Sequence, residues 1–316
     1  MSAPRAIGLL LGFAADGMFG DPRRGHPVAA FGRAATAAEG LLYRDGKVPG
    51  VLHSVLLSGG ALALGLVVER AGRRRPVLQM LTTAAATWVV LGGASLAEQG
   101  TAIGGELDSG DVDAARKRLP SLCGRDPDAL DQTGLARAAV ESVAENTSDA
   151  VVAPLLWGAV AGIPGLLGYR AANTLDAMIG HRSPRYQHFG WAAARIDDLL
   201  NLAPSRLAAL LATLGAPVVG GSAAGAWRTW RRDAAAHPSP NAGQVEAAFA
   251  GALEIRLGGR TAYPHGVEDR PVLGDGRTPD SGHVTRAVEL SRVVGVLAGV
   301  VAVAVAALSG RRRRIR

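Results

Sequence analysis

From Val51 to Val68 the chain reads VLHSVLLSGGALALGLVV, eighteen residues whose only polar side chains are His53 and two serines. That is close to the length needed to cross the hydrocarbon of a bilayer as a helix, about 20 residues. Inside lipid the backbone must satisfy its own hydrogen bonds, so a segment of this kind is confined to a helix. Arg73-Arg74-Arg75 ends it, and Val77 to Ala97 is apolar enough to return, which predicts a hairpin of two spans. Further apolar segments cover 6–20, 150–168, 202–219 and 293–308. The expected fold is therefore all-α: a polytopic integral membrane protein with broken or re-entrant helices and polar interhelical loops, forming one domain over 1–316. Composition agrees, since 48% of the residues are hydrophobic, only 19% are charged, and the 42 glycines suit close helix packing in lipid. The aromatic share of 4% is lower than interfacial belts usually require.

The net charge of +7 comes almost entirely from arginine, because Lys47 and Lys117 are the only lysines. No basic patch is interleaved with aromatics, so a nucleic-acid partner is not expected. Anionic lipid and an anionic substrate account for the charge more simply. A single cysteine, Cys123, leaves no disulfide framework and no CxxC metal site, and it reads as a small buried hydrophobe.

The N-terminal segment has no convincing cleavage site and carries Asp16 within its apolar run, so it reads as a retained helix bringing an acid inside. A Gly20-Asp21-Pro22 turn leads to His26-Pro27-Val28. Asp126-Pro127 has the form of a helix start, an N-cap acid followed by proline, and the helix is expected to run on past Glu141. Pro154 and Gly162-Ile163-Pro164-Gly165 interrupt the 150–168 segment, which predicts a re-entrant element as readily as a clean span. Residues 264–283, rich in Pro, Gly and Asp, read as a mobile loop.

Polar residues crowd the apolar sequence most closely between Glu141 and Asn201. At helical spacing Glu141, Glu145 and either Ser148 or Asp149 share a face, with Asn146 beside them. Three acids so placed repel one another unless a cation or a positively charged substrate offsets them. A solvated helix face fits the acids alone equally well. Their position at the edge of an apolar segment favours function. Tyr169, Arg170, Asn173 and Asp176 put a cation, an amide and a carboxylate within two turns. Asp197 and Asp198 precede Asn201 by four and three residues, and two carboxylates with an amide oxygen suit magnesium. One of them acting as an N-cap is the plain alternative.

Five separate stretches, GDPRRGHPV, ESVAENTSDAVVAPL, YRAANTLDAMIGH, FGWAAARIDDLLN and HPSPNAG, resemble in order those of the CobD/CbiB family, over about Leu10 to Gly259. The resemblance implies a multi-pass enzyme of the cell membrane that makes adenosylcobinamide phosphate in cobalamin biosynthesis. It would join aminopropanol or its phosphate to a propionate carboxyl of adenosylcobyric acid in an ATP-dependent amide synthesis. It also allows a homo-oligomer or a complex with other enzymes of that pathway.

No Walker-type loop is present, so nucleotide use is implied by that reaction alone. A carboxylate must be activated before an amine can displace its oxygen, most simply as an acyl phosphate, which calls for magnesium and for cations around the phosphate. Glu141, Glu145, Asp176 and His26 are the candidate catalytic residues, His26 only through the resemblance. Arg170, Asn173, Arg182, Arg195, His237 and Asn241 are candidates for substrate, and Asp149, Asp197, Asp198 and Asn201 for metal. Convergence of Glu141 and Glu145 with Asp197 and Asp198 requires a chain that returns to one side of the membrane between them. A magnesium-dependent membrane transferase of phospho-alcohol or prenyl groups is a rival reading, and a corrinoid transporter a third. The arginines at 73–75 and at the C-terminus favour those ends inside, whereas ATP chemistry favours the motif-bearing loops on the cytoplasmic side.

Overall fold

The computed structural model describes residues 2–22, 25–181, 183–263 and 266–312. Helices dominate it, and four stretches are long and apolar enough to cross a membrane: Lys47–Gly72, Pro76–Asp108, Trp191–Val219 and Ser281–Ser309. The chain is an all-α polytopic membrane protein, as its apolar segments require. It folds into two compact units, one of residues 1–92, 153–201 and 298–316, the other of 93–152 and 202–297.

In the first unit α1 (Ser2–Phe19) lies along α4 (Pro76–Val90). Gly8 and Gly12 are four apart, and a Cβ on either would come within 2.6 or 2.4 Å of the Cβ of Thr83 or Thr87. The contact is backbone against backbone, the small-xxx-small packing that replaces hydrophobic driving force in lipid. Pro27 at the first position and His26 as N-cap start α2 (Pro27–Leu42), the His26 Nδ1 accepting the Val28 N–H at 3.1 Å. The longest helix of this unit, α3 (Lys47–Gly72), packs on α9 (Ile163–Leu175).

Between α8 (Ala153–Ala161) and α9 the chain breaks at Gly162, which has φ +73°. This is the interruption expected within 150–168. The freed N–H of Ile163 is capped from another helix: Glu69 of α3 accepts it at 3.0 Å, while Arg5 and Gln79 bond the same carboxylate at 2.7 and 3.3 Å. A core of Ala35, Leu175, Ile179, Phe189 and Ala193 fills the space behind α9, with Phe189 packed 5.3 Å from the ring of buried His53.

The second unit is built on α5 (Gly93–Asp108), α6 (Val112–Arg118), α7 (Gln132–Thr147), α11 (Ala223–Asp233) and α12 (Ala242–Leu253). It also takes the later part of α10 (Trp191–Gly215) and the earlier part of α13 (Ser281–Arg312). Side-chain caps set the starts of three of these, Asp111 on α6, Asp131 on α7 and Ser222 on α11. Every residue of α12 except Gln244 is buried. Thr147 of α7 donates to Ser291 of α13 at 2.7 Å, and Arg286 of α13 donates to the carbonyls of Val219 and Gly220 that follow α10.

Three sequence expectations change. Asp126 does cap a helical start, but a single 3-10 turn at Pro127–Ala129; Leu130 is extended and α7 begins after Asp131, whose carboxylate takes the Gly134 N–H at 2.7 Å. The apolar segment 77–97 is not one helix, since α4 ends at Val90 and Leu91 is extended before α5 starts. Much of the loop expected at 264–283 is regular: β1 (Leu257–Tyr263) and β2 (Gly266–Leu273) pair antiparallel, with a bulge between Leu257 and Gly259, and α13 starts at Ser281. Pro271 sits within β2 and Gly274 just after it, so proline and glycine density there did not mark a loop throughout.

Candidate active site

Glu141 and Glu145 lie one turn apart on α7, and they belong to a set of charged side chains that the second unit draws around one buried place. Glu141 is 2% exposed. One of its carboxylate oxygens is paired with Arg125, and the other accepts the Gly258 N–H at 2.6 Å. It ties α7 to the loop before it and to the β1 bulge. Glu145, by contrast, is exposed to solvent, although protein crowds its carboxylate. That surrounding protein mass raises its carboxyl above the ordinary range, against the pull of the Arg270 and Arg125 guanidinium groups, and Glu141 adds to the rise.

A third acid, Glu246, comes from α12 and is 3% exposed, with its carboxylate 3.8 Å from His237 Nε2. Burial pushes it well above the usual carboxylate range, and Glu141 and Glu145 push further in the same direction. His237 is held by the Ser239 N–H, which donates to Nδ1 at 3.1 Å, and its Nε2 lies 3.4 Å from Arg270 of β2. Burial and that arginine keep its imidazole below the usual value, hence neutral at pH 7. Acids and guanidinium groups thus alternate in this cluster, in which exposed Glu145 can bind an ammonium and half-buried Arg270 an anion, while Arg125 is taken up by Glu141.

The motif that follows α7 changes geometry where its acids continue. Ser148–Val152 and Asp176–Gly180 are both π-helical turns, each carrying one motif acid, Asp149 or Asp176. Such turns shift the register of side chains and recur at functional sites. Asp149 therefore does not simply extend the Glu141–Glu145 face as 3.6-residue spacing predicts.

In the first unit Asp197 and Asn201 of α10 form a buried network with α9. Asn201 donates to one oxygen of Asp197 at 2.9 Å and Asn173 to the other at 3.2 Å, while the Tyr169 hydroxyl donates to the Asn201 carbonyl at 2.9 Å. Asp198 is half-buried and 3.6 Å from exposed Arg195. Arg170 is half-buried on α9. Arg182 lies outside the described residues. Asn241 accepts from Ser205 and Arg206 at 3.2 and 3.4 Å in the second unit. His26 has a structural task as the α2 cap, with Nε2 3.8 Å from Asp21.

The motif acids thus divide between units, Glu141, Glu145 and Asp149 in one, Asp176, Asp197 and Asp198 in the other. Among the described residues no three His, Cys, Asp or Glu side chains converge as a metal site. Cys123 is half-buried, with its thiol raised by burial, consistent with an unreactive residue.

Sequence reasoning missed Arg125, Glu246 and Arg270. Glu246 carried a signal, the lone acid of the apolar run AGQVEAAFAGAL, which has no cause to bury a carboxylate except a partner. Arg270 carried none, because it sits on the hairpin that reads as loop.

Fold and site together define a helical membrane protein with an acid–arginine cluster outside its candidate spans. The chain belongs to the CobD/CbiB family: the model described as CobD/Cbib protein matches residues 9–291. It is similar to the cobalamin biosynthesis protein CobD of Mycobacterium tuberculosis, 60% identical over 300 residues and 95% of each chain. The corresponding proteins of Chromobacterium violaceum and Geobacter metallireducens are each 44% identical, covering 90% and 84% of this chain and 90% and 85% of their own. No solved structure matches the chain.

Proposed function

We propose that this protein is an adenosylcobinamide-phosphate synthase, joining aminopropanol or its phosphate to a propionate carboxyl of adenosylcobyric acid at the expense of ATP. A role in cobalamin biosynthesis accords with the family and with the names of its relatives. The amide ligation is supported most by one observation: exposed Glu145 stands one turn along α7 from the Glu141–Arg125 pair, in the unit where Arg270 also approaches His237.

Amide formation from a carboxylate and an ammonium needs both an activated acyl group and a deprotonated amine. The propionate oxygen attacks the γ-phosphorus and ADP leaves; the amine then attacks the acyl carbon, and phosphate departs with that oxygen. Arg270 suits the phosphate charge, because a guanidinium group binds it bidentately. Glu145 suits the ammonium and the proton it sheds, since a carboxyl raised above its ordinary range is a better base than an ordinary one. Glu141 holds Arg125 and the β1 bulge in place for them.

Magnesium, as the usual companion of ATP, would neutralise phosphate charge. The side chains fit a shared ion better than a resident one, because no group of three protein ligands exists among the described residues. Glu145 and Asp149 are the carboxylates near this cluster that could complete its shell; Asp197 and Asp198 are a separate candidate pair within the other unit. Arg170, Asn173, Arg182, Arg195, His237 and Asn241 remain proposed contacts of substrate and Asp176 a proposed catalytic acid, and ATP puts the site on the cytoplasmic side of the cell membrane.

The test is donor choice. Purified full-length protein in lipid nanodiscs is given adenosylcobyric acid with aminopropanol or its phosphate, with and without ATP. ATP-dependent formation of the amide is expected. Turnover of a prenyl or phospho-alcohol donor without ATP, and no amide, would establish the rival transferase instead.

A further inference from the structure

Only Arg73, Arg74 and Arg75 connect α3 to α4, the candidate spans that follow one another most closely in the chain. A connection this short between two spans lies at the membrane surface. The turn is ordered by backbone hydrogen bonds, Arg73 N–H to Arg70 O at 3.2 Å, Arg75 N–H to Gly72 O at 2.9 Å and Gln79 N–H to Arg75 O at 2.9 Å. It bounds an open recess lined, among the described residues, by Arg70, Ala71, Arg73, Arg74 and Arg75.

All four arginines are exposed, and none of their side chains has a hydrogen-bond or ion-pair partner among the described residues. Four unneutralised guanidinium groups on a single turn repel one another, a cost that an anion relieves. The one acid nearby in sequence, Glu69, faces inward and is already bonded by Arg5, Gln79 and the Ile163 N–H.

Below the recess both helices turn apolar side chains outward. Val67 is 63% exposed one turn before Arg70, and Val77 is 65% exposed one turn after Arg74, with Leu64 and Leu81 beyond them. The surface is thus cationic at the turn and apolar along the helices that descend from it. We propose that the α3–α4 turn is a binding site for an anionic phospholipid, its phosphate held by Arg70, Arg73, Arg74 and Arg75 and its acyl chains lying on Val67, Leu64, Val77 and Leu81. A nucleotide shares the phosphate but not the chains, and the recess offers no aromatic or amide group for a base.

Native mass spectrometry of the full chain, released from nanodiscs of equal phosphatidylglycerol and phosphatidylcholine, tests this. Wild type should retain phosphatidylglycerol preferentially. Arg73→Gln/Arg74→Gln should lower that retention about tenfold and leave phosphatidylcholine unchanged. Arg73→Lys/Arg74→Lys keeps the charge that orients the hairpin but loses the planar fork, and should lower it roughly threefold. Millimolar inorganic phosphate or ATP should leave the lipid bound. Wild-type retention in the Lys variant overturns the proposal, whether or not the Gln variant reaches the membrane. Displacement by phosphate or by ATP also overturns it, making the turn a site for free anions or nucleotide.

Discussion

Glu141 accepts the backbone N–H of Gly258 at 2.6 Å across 117 residues of sequence, and its other oxygen is paired with Arg125. An acid fully engaged in this way holds structure, whereas Glu145 one turn later is open to solvent. Glu141→Gln removes the charge opposite a buried guanidinium and should cost about 3 kcal/mol. Glu145→Gln should shift stability by less than about 0.5 kcal/mol and lower turnover about a hundredfold or more. Thermal unfolding in detergent beside steady-state rates separates the two, and equal stability loss in both would remove the distinction.

Gly162 stands where α8 gives way to α9, with φ +73°. A Cβ there would come within 2.6 Å of Glu69 Oε2 and 2.7 Å of Arg5 Nη2. Gly162→Ala should therefore destabilise by about 2 kcal/mol or more, through the left-handed backbone and the displaced cap together. Glu69→Gln, which keeps an acceptor for the Ile163 N–H but not the charge facing Arg5, should be milder. A denaturation series that reverses this order would contradict the role given to Glu69.

Glu246 holds its proton to higher pH in the folded protein than in the unfolded chain, because it is buried beside two other acids. Its contribution is complete below the unfolded carboxyl pKa of about 4.3 and is lost as pH rises through the raised folded value. Glu246→Gln mimics the protonated acid at every pH. Its unfolding midpoint relative to wild type should therefore climb between pH 5 and 8. A difference independent of pH would mean that Glu246 is not a high-pKa carboxyl.

Four of the six apolar segments were legible as candidate spans because apolar length is a local property, as was the break at Gly162. The Glu141–Glu145 pair was legible because four-residue spacing is the same in any α-helix. The failures are all non-local or off-period. The π-turn at Ser148–Val152 carries Asp149 off that spacing, Arg270 reaches the acid–arginine cluster from a hairpin, and Glu69 acts on Ile163, 94 residues away. Nothing in a window of sequence contains those relations.

Arg170 is half-buried on α9, in the helix that carries Tyr169 and Asn173 into the Asp197 network. If it grips a phosphate or carboxylate, Arg170→Lys keeps the charge but not the bidentate fork, and should lower turnover at least tenfold while the protein stays folded. Normal turnover in that variant would leave Arg170 a structural residue.

In the proposed reaction a carboxylate is activated by phosphoryl transfer before the amine attacks. Adenosylcobyric acid labelled with oxygen-18 in the reacting propionate tests it directly, through mass analysis of the inorganic phosphate released in a single turnover. One labelled oxygen per phosphate, appearing in step with the amide, is the predicted result. Amide formation with unlabelled phosphate would contradict it.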